Sequence, residues 1–233
     1  MRIGCTLPTF RDDPDTFLAL ARKAEDAGLD GVFAFEHIWP MRQPGRPSIA
    51  GKLALAAAAA VTSRVAIGTL VARIGLLPDA TLLSELAGLQ LVSGGRLIAG
   101  LGPGDRMSDD ENEAYGVPVL PPAVRRSSLD ALTGQLRALG VEVWIGGGSE
   151  RTNEIAIRHG AVLNLWDVPL DALREAARSV TVTWGGPLPT EPGEAAERIA
   201  EIASAGAMFL VWAWPKSIGL VVEAWRRSGV GPN

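Results

Sequence analysis

The chain has 233 residues, 47% of them hydrophobic and 21% charged, with a formal net charge of −4. This is a globular composition, large enough for a sizeable core and without the basic stripe that nucleic acid or an anionic membrane would need. One cysteine, Cys5, excludes a disulfide framework and a thiolate zinc cluster, and two histidines, His37 and His159, exclude a histidine-rich metal centre, so no metal is expected. The longest apolar run, 53–61, is far shorter than the ~20 residues of a membrane span. Residues 1–10 lack the basic start and apolar core of a signal peptide, so a cytoplasmic protein is expected.

Alternation of Ile3, Cys5 and Leu7 predicts a first strand over 2–7. A helix is expected over 15–27, where Phe17, Leu18, Ala21 and Ala24 share one face and Gly28 ends it. There follow a strand over 30–35, an Ala-rich helix over 48–62, a strand over 65–71, a helix over 80–92 and a strand over 96–101. The second half keeps the rhythm. Strands are expected over 142–145, 161–165, 180–184 and 207–212, with helices over 126–139, 150–159, 170–178, 193–205 and 217–227. Eight strand–helix units in a chain of this length predict a compact (β/α)8 TIM barrel, a single domain over 1–233 without long insertions. The alternative, a doubly wound sheet, more often has roughly five to seven strands.

In a barrel, chemistry gathers on the loops at the strand C-termini. The second strand ends in Phe35-Glu36-His37, a carboxylate beside an imidazole that can take or give a proton near neutral pH. A histidine that only hydrogen-bonds a loop is the alternative. Gly100-Leu101-Gly102-Pro103-Gly104-Asp105 after the fourth strand either lets a ligand approach the backbone or forms a plain turn. With its proline it is a weak dinucleotide fingerprint. Gly146-Gly147-Gly148-Ser149 stands between the fifth strand and a helix, where N–H groups and a helix N-terminus offer an anion site. Ser149 is then an N-cap or a phosphate ligand, and a capped tight turn is the alternative. Among the tryptophans near strand ends, Trp39, Trp144, Trp166, Trp184, Trp212 and Trp214, most are expected to be packing and a few to wall a flat aromatic ligand. The acidic run Asp109, Asp110, Glu111 and Glu113 is expected to be a solvated loop or helix start. His159 is expected to meet a helix dipole, and Cys5 to pack the barrel.

Several segments stand in a telling order and spacing: Arg2-Ile3-Gly4, residues 24–32, Phe35-Glu36-His37, residues 62–69, Leu91-Val92-Ser93-Gly94-Gly95-Arg96, the Gly100–Gly104 run, Glu113-Ala114-Tyr115-Gly116 and Trp144-Ile145-Gly146-Gly147. Together they resemble the bacterial luciferase-like family, especially its members that use the deazaflavin coenzyme F420. The resemblance implies a barrel that holds coenzyme F420, or FMN as the alternative, at the strand C-termini. Leu70, Val71, Ala72 and Arg73 are similar to the family's ring-supporting bulge, which often contains a non-proline cis peptide. Gly102, Gly104, Gly146, Gly147, Gly148 and Ser149 would hold the cofactor's phosphate. In the family's sugar-phosphate dehydrogenases a histidine at the position of His37 works with a carboxylate after the fourth strand, for which Asp105 is the nearest match. Glu36 stands where the family usually has aspartate, and Met41 where the sugar-phosphate enzymes have tryptophan, which puts that substrate in doubt. The implied activity is hydride transfer between coenzyme F420 and a small organic substrate, with His37 as base or proton donor and Glu36 or Asp105 tuning it. The alternatives are an FMN-dependent monooxygenase and a non-catalytic flavin-binding protein. Many members are homodimers, and 53–61 could supply such a face or be buried against the barrel. The chain is also shorter than most members.

Overall fold

The computed structural model describes residues 1–37, 43, 45–104, 109–114 and 116–231. The elements in chain order are β1 (Arg2–Thr6), α1 (Pro14–Asp26), β2 (Gly31–Ala34), α2 (Gly51–Val61), β3 (Ala66–Thr69), β4 (Ala72–Arg73), α3 (Asp79–Val92), β5 (Leu97–Gly102), α4 (Asp109–Ala114) and α5 (Pro122–Ala138). They continue as β6 (Glu142–Gly146), α6 (Glu150–His159), β7 (Val162–Trp166), α7 (Leu170–Ala177), β8 (Val182–Gly186), α8 (Pro192–Ser204), β9 (Ala207–Trp212) and α9 (Ile218–Arg227). Every strand pairing is parallel, in the order β3-β2-β1-β9-β8-β7-β6-β5, and β3 pairs with β5 to close the ring. This is the expected (β/α)8 TIM barrel, with β4 as a two-residue appendix on the far end of β5.

Local chemistry sets the helix ends. Asp13 caps α1 by accepting from Asp15 N–H at 2.9 Å, with Pro14 in the first turn, and Gly160 ends α6 at φ 58°. Two layers of core follow from the alternation of side chains along the strands. One lies between strands and helices. The other fills the barrel, where Phe33 stacks on Trp144 at 5.2 Å and meets Phe209 edge-on at 5.6 Å. The rings fit because glycine faces them: a Cβ on Gly68 would come within 2.3 Å of the Phe33 ring. Cys5 is fully buried in the strand–helix layer, and burial pushes its thiol up to about 12, which suits packing and not a nucleophile.

The strand N-termini form the stabilising end of the barrel. The Glu25 carboxylate accepts from the backbone N–H groups of Ser63, Arg64 and Val65, the shortest at 2.6 Å. Burial pushes this acid up, but the N–H groups of Arg64, Val65 and Ser63 and the Ser63 hydroxyl outweigh it and hold it at about 2. Arg96 closes the same end by donating to the carbonyls of Ala59, Thr62, Val65 and Ser93.

The Ala-rich helix α2 buries Ala54, Leu55, Ala58 and Ala59 against its neighbours and leaves Leu53 exposed. The strand expected over 65–71 is interrupted. β3 stops at Thr69, a cis peptide joins Leu70 to Val71, and β4 resumes at Ala72. Among the described residues, no helix is long and apolar enough to cross a membrane.

Candidate active site

A cavity of about 990 Å³ opens at the strand C-termini, the size of a pocket for a drug-sized ligand. One side carries the Leu70–Val71 bulge, and the rim carries Gly102, Gly104, Gly146 and Gly147. Phe35, at the end of β2, packs face-on to Phe10 at 6.3 Å, meets Trp166 edge-on at 5.5 Å and lies 5.3 Å from Trp214. Trp166 and Trp214 are 40% and 54% exposed and both line the cavity, whereas Trp144, Trp184 and Trp212 are buried. The tryptophans therefore divide as expected into packing and wall, and Trp39 lies outside the described residues.

The bulge is seated by glycines. The Val71 side chain projects into a socket between β5 and β6, where a Cβ on Gly102 would sit 2.4 Å from Val71 Cγ2 and one on Gly146 3.0 Å from Cγ1. Gly147 N–H is used by the Asn164 carbonyl at 3.3 Å. Ala72 is buried, and neither it nor Gly148 nor Ser149 lines the cavity. Ser149 is the N-cap of α6, accepting from Thr152 N–H at 3.3 Å. Of the residues expected to meet a cofactor, the structure thus brings Leu70, Val71, Gly102, Gly104, Gly146 and Gly147 to one cavity and leaves Ala72, Gly148 and Ser149 off it.

His37 lines the cavity, and its Nδ1 lies 3.1 Å from Glu111 Oε2. Glu111 is 3% exposed, and the same oxygen is 3.2 Å from Arg73 Nη1. The acidic run is the helix start expected, α4, with Asp109, Asp110 and Glu113 exposed; the expectation of solvation fails for Glu111 alone. A carboxylate is buried only where a cation compensates it, and Arg73, itself buried, supplies that cation from β4. Glu36 turns away from His37: it pairs with Lys52, and its Oε2 accepts from Arg73 N–H at 2.6 Å. Adjacent side chains on an extended segment diverge, so neighbours in sequence need not be partners in space. Asp105 lies outside the described residues. His159, at the end of α6, is paired with Asp130 Oδ1 at 2.7 Å, remote from the cavity lining. Among the described residues, no group of three or more His, Cys, Asp or Glu side chains could hold a metal ion.

The sequence model of one family, luciferase-like monooxygenase, matches residues 1–127, from β1 through the cavity wall to the start of α5. The chain belongs to the luciferase-like monooxygenase family. Among curated relatives, the F420-dependent glucose-6-phosphate dehydrogenase of Beutenbergia cavernae is 34% identical over 110 residues, 47% of this chain. That of Amycolatopsis mediterranei is 30% identical over 114 residues, also 47% of this chain. Each match spans only 33% of the relative's own length. Two solved structures share the fold over nearly the whole chain. An F420-dependent secondary alcohol dehydrogenase in complex with an F420–acetone adduct has a TM-score of 0.77 at 14% identity, covering 97% of each chain. The coenzyme F420-dependent tetrahydromethanopterin reductase of Methanopyrus kandleri has a TM-score of 0.72 at 14% identity, covering 96% of each. In this luciferase-like chain the cis Leu70–Val71 bulge stands where the family resemblance places the ring support.

Proposed function

We propose that this chain is an oxidoreductase that moves a hydride between coenzyme F420 and a small organic substrate. The observation that carries the reading is His37 on the wall of the same cavity that holds the Leu70–Val71 bulge. The relatives named F420-dependent glucose-6-phosphate dehydrogenase, matched over 47% of the chain, support F420 over FMN.

The residues present fit a flat tricyclic cofactor. The cavity is wide enough and walled by aromatic rings. Its glycine rim, with Gly104 at φ 74°, lets a ligand approach the backbone without meeting a side chain. Leu70 and Val71 would support the ring, and Gly102, Gly104, Gly146 and Gly147 would flank its tail. Arg11, Arg46 and Lys216 also line the cavity and would face an anionic tail. Bound there, the deazaflavin supplies the two-electron redox step by accepting or giving a hydride. The protein's part is proton transfer: His37 takes the hydroxyl proton of an alcohol in oxidation, or gives a proton in the reverse direction.

We also place the chain in the cytoplasm as a homodimer with no nucleic-acid partner. The net charge of −4 supports the last point, and the exposed Leu53 on α2 is the observation behind the dimer. Light scattering at micromolar concentration tests it, and a monomer there would reject it. The functional reading is tested by anaerobic turnover of F420 against a panel of alcohols. Bleaching of the oxidised deazaflavin with one of them is expected. Oxygen consumption with reduced FMN, and no F420 turnover, would favour the monooxygenase instead. Tight cofactor binding with no turnover on any panel would favour a flavin-binding protein.

A further inference from the structure

We infer that Glu111 is the positioning residue for His37: held by Arg73, it fixes the imidazole tautomer so that in the neutral ring the nitrogen left for the cavity, Nε2, carries the lone pair. Its use in catalysis rests on the functional reading above; the tautomer itself does not. The geometry is compact. One oxygen, Glu111 Oε2, is 3.1 Å from His37 Nδ1 and 3.2 Å from Arg73 Nη1. Glu111 is 3% exposed and Arg73 6%, so both charges are out of water and they compensate one another. An ionised carboxylate only accepts hydrogen bonds, so Nδ1 must carry the proton. In a neutral imidazole the other nitrogen is then a bare lone pair. Nε2 has no hydrogen-bond partner among the described residues, and His37 lines the cavity. The backbone is held as well, because Ser48 Oγ donates to the His37 carbonyl at 3.2 Å.

The other carboxylate near His37 in sequence is otherwise engaged. Glu36 Oε1 pairs with Lys52 and Oε2 accepts from Arg73 N–H. Arg73 therefore handles both acids, Glu36 through its backbone and Glu111 through its guanidinium. It does so two residues after Val71, so the proton-transfer histidine and the bulge share one anchor. In the neutral ring a bare Nε2 is a base, which favours an alcohol as the substrate to be deprotonated. The rival account is that Glu111 only neutralises Arg73. It predicts that the His37 tautomer does not depend on Glu111.

The test is a long-range proton–nitrogen correlation spectrum of the imidazoles in uniformly labelled protein without cofactor. It is recorded near pH ~8.5, above the usual histidine range. The chain has two histidines, and His159 is an internal reference: its Nε2 faces Asp130 Oδ1 at 2.7 Å, so its proton belongs on Nε2. The two rings are expected to show opposite tautomers, His37 with Nδ1–H. Glu111→Gln keeps an oxygen to accept from Nδ1 and is expected to keep the tautomer. Arg73→Met with Glu111→Met removes acceptor and cation together. It is expected to move the His37 proton to Nε2 and to lower kcat about tenfold or more with KM little changed. A wild-type His37 with its proton on Nε2, or on both nitrogens, overturns the inference even if the double variant fails to fold. So does a folded double variant that keeps Nδ1–H. Failure of F420 to bind or turn over, with the tautomers as stated, overturns the functional reading and leaves this inference standing.

Discussion

Replacing Gly102 by alanine adds one methyl group at the point where the bulge is seated. The new Cβ would lie 2.4 Å from Val71 Cγ2 and 3.5 Å from Val71 Cβ. Two carbons normally approach no closer than ~3.5 Å, so Val71 must yield by about an ångström. Gly102 needs no left-handed backbone, so the whole effect is steric. Overpacking of this kind costs about 1–3 kcal/mol, which in a chain of this size lowers Tm by roughly 3–10 °C. Because Val71 also lies against Gly146, its side chain cannot move toward β6, and the bulge must shift into the cavity. Binding of F420 should weaken at least tenfold, about 1.4 kcal/mol. The decisive control is Gly102→Ala with Val71→Ala, which removes the Cγ2 methyl that the new Cβ meets. Thermal unfolding and equilibrium dialysis should show Tm and affinity returning most of the way in the double variant. A Gly102→Ala protein that binds like the wild type, or one that Val71→Ala does not rescue, would refute the socket account. It would leave the glycine as a mere point of ligand approach.

His37→Ala should keep the fold and cofactor affinity and lower the chemical step by about 10²-fold or more, measured by single-turnover absorbance; an unchanged rate would make His37 structural. Gly148→Asp should leave F420 affinity within about twofold, because Gly148 is exposed and off the cavity, whereas Gly146→Asp should abolish binding; dialysis of both checks the boundary of the site. Glu25→Gln should lower stability by about 1 kcal/mol, or roughly 2–4 °C in Tm, with no change in cofactor affinity, since this carboxylate is partly exposed and lies at the opposite end of the barrel. Its folded pKa, about 2, lies below the unfolded value of ~4.3, so the stabilisation is complete above that value and fades as pH falls toward 2. The gap between wild type and Glu25→Gln in urea unfolding should therefore close over that window, and a gap constant to pH ~2.5 would contradict it.

The barrel was legible because each strand carries its own signal. Short apolar runs separated by amphipathic helices with glycine stops leave few topologies open, and the pattern needs no long-range information. The break in the third strand was not legible from periodicity, because Leu70 and Val71 continue the apolar run of β3. Only the family resemblance pointed to a bulge there. Glu111 was missed for a different reason. It sits in a six-residue polar helix with no apolar face, and its partner His37 is 74 positions away. A signal did exist: Arg73 is a cation between Ala72 and Ile74 in a stretch otherwise fit for burial, and a buried cation requires an acid somewhere. The glycine turn after β6 read as an anion cradle because sequence shows which residues lack side chains. It does not show that Gly147 N–H already serves Asn164 or that Ser149 faces away from the cavity.

Equilibrium dialysis of the wild-type protein against F420 and FMN, side by side, tests the central claim most directly. Saturable one-site binding of F420 with a Kd in the micromolar range, at least tenfold tighter than FMN, is the predicted result. Tighter binding of FMN, or no saturable binding of either up to millimolar concentration, would contradict it.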